Sequence, residues 1–373
     1  MRIKRRVNLK LSWSFGLQLF LATLVVIAVM LLIEAVARSA PVQARVPFQA
    51  YGSNHVQFDF QINHLKSFVT RHGAPDCFIL GSSMPLRGIN PVVLGKVYKE
   101  RTGKELVCYN FSVVGVTISA ASVLAEMLVD KYQPHLLIVG TNFLDYTEAR
   151  EEADDSRFSG NTWTRYELGH FNIDGWLVEH SYAYRIVKLI SYGAYGGLDF
   201  SEVKKDINKW RLSLTDTGYG MSEEIGDVNE PLVEGKKKTF LREFGAFNLS
   251  ARNIASLEKL VEFTKQKHIQ LVFVQMPYHP TLVQPLDDNG QLMPETKQLN
   301  RYISQVDAWF ESMAKEHSIP YFVLNDLSMF SDKAWHDRYH LNITGSRLFS
   351  RWLANQLAQA VENGQLQDPI SGK

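Results

Sequence analysis

Five short runs of nearly unbroken apolar residues recur along this chain, at 77–81, 106–111, 136–140, 271–276 and 320–324. They are continuous Val/Ile/Leu-rich runs rather than alternations with polar residues, which is how strands covered on both faces read. Segments with helical periodicity lie between and after them, including 119–132, 251–268, 295–317 and 344–361. Ser250 stands where an N-cap would open the helix from 251, and Ile254, Leu257, Leu260, Val261 and Phe263 fall near one face. Strands and helices in this alternation imply an α/β domain with a parallel sheet between helical layers. Its ligand site is expected outside the carboxyl ends of the strands.

The segment ahead of this pattern has a different solvent. Between residues 11 and 33 only Ser12, Ser14, Gln18 and Thr23 carry polar side chains, enough apolar length to cross a hydrocarbon core of about 30 Å. Arg2, Lys4, Arg5, Arg6 and Lys10 precede it, so the positive-inside bias keeps the N-terminus cytoplasmic and exports the remainder. A cleaved signal peptide is the competing reading, with small residues at Ala35, Ala37, Ser39, Ala40 and Ala44. The apolar stretch exceeds an ordinary signal core of about 7–15 residues, which favours an uncleaved anchor. Residues 1–40 are therefore read as a basic tail and signal anchor in the inner or cytoplasmic membrane, 41–60 as a linker, and 61–373 as a domain facing the periplasm or cell exterior.

Within that domain, residues 143–247 break the alternation and are rich in aromatics, among them Trp163, Tyr166, Trp176, Tyr182, Tyr184, Tyr192, Tyr195 and Trp210. An insertion of this length can form a lid or substrate platform, or its aromatics can form a small core of their own. The 40 basic and 39 acidic residues cancel, with basic runs only at Lys4-Arg5-Arg6 and Lys236-Lys237-Lys238, so no field recruits nucleic acid. Cys77 and Cys108 fall in apolar runs and read as buried thiols, or as one bridge if their strands are neighbours.

Four segments at strand ends carry the chemistry. Gly81-Ser82-Ser83 ends the first strand in a glycine-started turn that can expose a hydroxyl. Asp337-Arg338-Tyr339-His340 precedes the last helix; an aspartate three residues before a histidine can fold back onto Nδ1 and leave Nε2 as a base. Gly115, in Asn110-Phe111-Ser112-Val113-Val114-Gly115, and Asn142, in Gly140-Thr141-Asn142, offer a backbone N–H and a carboxamide. With the amide of Ser83 they would make an oxyanion hole. His279, after the fourth strand, can face the same pocket as a substrate contact. His336, His340 and His279 lack the carboxylate or cysteine spacing of a metal site, and no glycine-rich phosphate loop is present.

In order and spacing these segments resemble the SGNH/GDSL hydrolase superfamily over about residues 77–353, the insertion excepted. The resemblance implies Ser83 as nucleophile, Asp337 and His340 as its relay, Gly115 and Asn142 as oxyanion donors, and no cofactor. Two departures stand out: Ser82 replaces the aspartate usual between glycine and serine, and Phe143 follows Asn142 where an aspartate often does. The Gly-Ser-Ser form behind a single anchor resembles the exported branch that includes D-alanyl transfer protein-like and alginate acetylation protein-like members. The expectation is a flavodoxin-like three-layer sandwich acting as an esterase or O-acyltransferase on an acylated cell-surface glycan or polymer, with an integral-membrane acyltransferase as a candidate partner. The alternative is a non-catalytic glycan-binding or accessory subunit of such a system.

Overall fold

The computed structural model describes residues 13–148, 155–195, 200–229, 248–284, 289 and 291–370. Five strands, β1 (Cys77–Leu80), β2 (Cys108–Asn110), β3 (Leu136–Thr141), β4 (Gln270–Gln275) and β5 (Tyr321–Phe322), form one all-parallel sheet in the order β2-β1-β3-β4-β5. This is the flavodoxin-like order, whose switch point lies between β1 and β3. Along β1, Cys77 and Ile79 enter a core shared with α4 (Pro91–Thr102) and α12 (Ile343–Glu362). Phe78 and Leu80 enter the opposite core, shared with α2 (Val56–His72), α5 (Ile118–Tyr132), α10 (Ala251–Gln266) and α11 (Thr296–Glu316). Helices cover both faces, so neither side of a strand needs polar residues. The expected cap also forms: Ser250 Oγ accepts the Asn253 N–H at 3.0 Å.

Three expectations change. The register sets Cys77 opposite Cys108, and the two form a disulfide with Cα atoms 4.5 Å apart, so the reading as buried thiols is corrected. Residues 41–60 are not a free linker: Phe48, Ala50, Tyr51 and Ser53 are buried, and α2 already begins at Val56. Asp59 draws this segment inward by accepting the Tyr51 N–H at 2.7 Å and the Ser53 hydroxyl at 2.7 Å. The insertion is neither detached nor self-contained. Its helices α6 (Thr162–Glu167), α7 (Ile173–His180), α8 (Tyr182–Tyr195) and α9 (Phe200–Ser213) follow one another, and Tyr192, Val203, Ile207 and Trp210 pack with Phe48, Val56 and Phe60. Its stretches 149–154, 196–199 and 230–247 lie outside the described residues, the lysine run at 236–238 with them, as does the basic tail 1–12.

The N-terminal helix α1 (Trp13–Arg38) is apolar and long enough to cross a membrane, and its apolar surface is exposed. Its length and composition fit a signal sequence equally. Its last turn is tied to the insertion. Glu34 accepts from the Ser181 hydroxyl (2.7 Å) and the N–H groups of Tyr182 (2.9 Å) and Ala183 (3.2 Å), donors that open α8. Arg38 donates to the His180 carbonyl at 2.9 Å and lies over the Tyr182 ring.

Candidate active site

Ser83 is the first residue of α3 (Ser83–Gly88), one turn beyond β1 at the carboxyl edge of the sheet. The turn depends on Gly81: at φ +138°, an added Cβ would stand 2.4 Å from the Gly140 carbonyl oxygen. Only glycine lets the chain pass that close to the end of β3. On the other side of the site, the segment before α12 closes on itself. The His336 N–H donates to the His340 carbonyl at 2.8 Å, Trp335 pairs with Leu341, and Asn342 Oδ1 accepts the N–H groups of Thr344 and Gly345. Gly345 is required here as well, since a Cβ would meet the Ala334 carbonyl oxygen at 2.3 Å.

This loop brings the sequence-predicted relay together. The Asp337 carboxylate accepts the N–H groups of Tyr339 and His340, both at 2.8 Å, and stands 2.8 and 2.9 Å from His340 Nδ1. Burial alone would raise the Asp337 carboxyl, but the imidazole and the two amides hold it down at about 2. An ionised carboxylate can only accept, so Nδ1 carries the ring proton and Nε2 of the neutral imidazole is an acceptor. His340 Nε2 lies 2.7 Å from Ser83 Oγ. The hydroxyl proton of Ser83 therefore points at a base that is oriented from behind, the geometry of an activated nucleophile.

Ser82 takes a different part. It is buried and donates to Asp145 Oδ2 at 3.2 Å, away from His340. Asn142 is also buried: its Oδ1 accepts the Leu144 N–H, and its Nδ2 donates to Asp145 Oδ2 at 2.5 Å and Ser82 Oγ at 3.2 Å. The carboxamide thus sits beside the Gly81–Ser83 turn with its donors engaged inside the protein. Gly115, at φ +79°, is exposed in a turn and a Cβ there would meet nothing within 4 Å, so its backbone borders open space. His279 is tied to the relay loop by its backbone, its N–H donating to the Arg338 carbonyl at 2.9 Å, while its side chain turns to other partners. It caps a short turn through Thr281 and stands 3.5 Å from Asp332 and edge-on to Trp335.

Compared with known proteins, the chain matches no protein-family model and no curated relative. The site also holds residues that the sequence did not announce. Asp145 binds Ser82, one of the two positions at which the chain departs from the SGNH pattern, and the carboxamide of Asn142, which precedes the other; a carboxylate within the apolar run Phe143-Leu144-Asp145-Tyr146 was its one signal. His336 accompanies the relay, its Nδ1 2.9 Å from Ser222 Oγ and its Nε2 3.9 Å from Asp337. Burial and the charge of Arg87 lower its pKa. Arg87, one turn past Ser83, has an Nη1 without a hydrogen-bond partner among the described residues, and burial lowers its pKa against the pull of Asp337. The segment passing the site from Ser222 to Gly226, where a Cβ on Gly226 would meet the His336 carbonyl oxygen at 2.0 Å, has no sequence signature. Among the described residues no three His, Cys, Asp or Glu side chains group as metal ligands.

Proposed function

We propose that this chain is a membrane-anchored, extracytoplasmic serine esterase or O-acyltransferase of the SGNH type, acting on an acylated cell-surface glycan or polymer. One observation carries the reading: the continuous line from Ser83 Oγ through His340 to Asp337, at 2.7 and 2.8 Å. In the first half-reaction Ser83 Oγ attacks the acyl carbonyl carbon while His340 Nε2 takes its proton. The imidazolium that forms is stabilised by Asp337, which stays ionised. Collapse of the tetrahedral species expels the donor alcohol, which receives the proton from His340, and leaves an ester on Ser83. Water or a polymer hydroxyl then repeats the sequence in reverse. The N–H groups of Ser83 and Gly115 are the candidate donors to the oxyanion. Asn142 would join them only by releasing Ser82.

The contacts of α1 support an anchor that stays on the protein, because cleavage after it would strip α8 of the Glu34 carboxylate at its N-terminus. The orientation follows from the basic residues before α1, and an integral-membrane acyltransferase would supply the donor in the transfer version. The engagement of Asn142 with Ser82 and Asp145 favours the second reading, an accessory subunit that keeps the fold without turnover. A fluorophosphonate probe separates them. Covalent labelling of the full-length protein, lost in Ser83→Ala, is the expected result, and a folded wild-type protein that resists the probe overturns the enzyme. Mass spectrometry after incubation with an acyl donor and a candidate glycan then distinguishes transfer from ester loss.

A further inference from the structure

The α6–α7 hairpin of the insertion exposes an aromatic and apolar patch. Phe171 is 74% exposed, Ile173 69% and Trp176 43%. The Trp176 indole stacks on His180, and Tyr166 lies edge-on to both Phe171 and His180, so the patch is one continuous surface. Single exposed apolar residues need no explanation, but a contiguous aromatic set does.

Its position says what covers it. The His180 carbonyl accepts from Arg38, and the next three residues bind Glu34, which directly follows Ile33 at the end of the apolar stretch of α1. The helical rise of α7 places Trp176 about 6 Å and Ile173 about 10 Å along the axis from that junction. The patch therefore starts where the apolar span ends. The two carboxylates of α7 are neutralised within the protein: Asp174 stands 2.7 Å from Lys188, and Glu179 2.7 Å from Lys66. Neither would be left uncompensated against a lipid surface, and exposed Arg165 and His170 flank the patch. Tyr, Trp and His, with an apolar body and a polar edge, are the side chains that suit the headgroup level.

We infer that the α6–α7 hairpin lies in the membrane interface beside α1, so that the domain is held against the bilayer by two contacts, a span and a surface hairpin. The occupant of the patch is lipid. This rests on the reading of α1 as a retained span, and the test keeps the two apart. Phe171→Cys and Ile173→Cys would each carry a spin label in the full-length protein, the native cysteines being held in the buried disulfide. Val92→Cys, exposed on α4 across the sheet, is the control. The proteins are reconstituted in vesicles of phosphatidylcholine and phosphatidylglycerol, and collisions with oxygen and with a water-soluble nickel chelate are measured.

Flotation with the vesicles, and a severalfold loss of nickel collisions at residues 171 and 173 relative to 92 with oxygen collisions retained, are expected. Flotation with equal nickel access at all three positions overturns the hairpin contact and leaves the anchor standing. Shielding from oxygen and nickel alike assigns the patch to a second protein molecule and overturns it too. Failure to float overturns the anchor and the hairpin together.

Discussion

Adjacent hydroxyls at Ser82 and Ser83 have opposite fates because a helix start turns one inward and one toward His340. Ser83→Ala should lower turnover by roughly three or more orders of magnitude. Ser82→Ala should cost about tenfold at most, since Asn142 keeps Asp145 as its acceptor. His340→Ala should match Ser83→Ala, and the double variant should be little worse, because the pair acts as a unit. Asp337→Asn should fold yet lose activity through the wrong imidazole tautomer. Steady-state rates on one ester substrate decide all of these, and equal damage from Ser82→Ala and Ser83→Ala would unseat the nucleophile.

A second residue-scale prediction concerns Asp59. Burial pushes its carboxyl up to about 7 against the hydrogen bonds it accepts from Ser53, Tyr51 and Tyr192. A raised carboxyl binds its proton more tightly folded than unfolded, so the stabilisation is full below about pH 4 and fades as pH rises through about 7. Wild type should therefore lose on the order of 3 kcal/mol relative to Asp59→Asn between about pH 5 and about pH 8, read from urea midpoints. Burial holds His55 down at about 4; it contributes equally to both proteins and cancels. A constant gap across that range would contradict the assignment.

At the scale of elements, the sheet is stapled where its pairing begins. The Cys77–Cys108 bridge closes a loop of sequence separation 31 between β1 and β2. In the chain-entropy view that constraint contributes about 3–4 kcal/mol. The Cys77→Ala/Cys108→Ala double variant should unfold at correspondingly lower urea while keeping the same sheet by circular dichroism, and an unchanged midpoint would mean that the bridge constrains nothing. The elements themselves were largely legible. Each apolar run overlaps a strand, with β3 and β4 reaching one residue beyond theirs, and the helices starting at Ile118, Ala251, Thr296 and Ile343 lie within two residues of their expected bounds. Burial on both faces and helical periodicity are written into consecutive residues, so these elements need no knowledge of their partners.

At the scale of the whole molecule, α1 and the insertion are joined through Glu34 and Arg38. The full-length protein should remain with membranes through carbonate extraction, and α1 should be present in the mature chain by mass; recovery of a mature form lacking it would make α1 a signal sequence. The sequence by itself determined the α/β class, the strand and helix positions, the apolar N-terminal segment and the Asp-x-x-His relay motif, because each is encoded by neighbours in the chain. Only the tertiary structure decided that Cys77 faces Cys108, that Asp145 reaches back 63 residues to Ser82, that residues 48–53 are core rather than linker, and that Glu34 caps a helix 147 residues away. Such contacts join segments whose separation has no period, and they exist only after the sheet has set its register and the insertion has found the surface it covers.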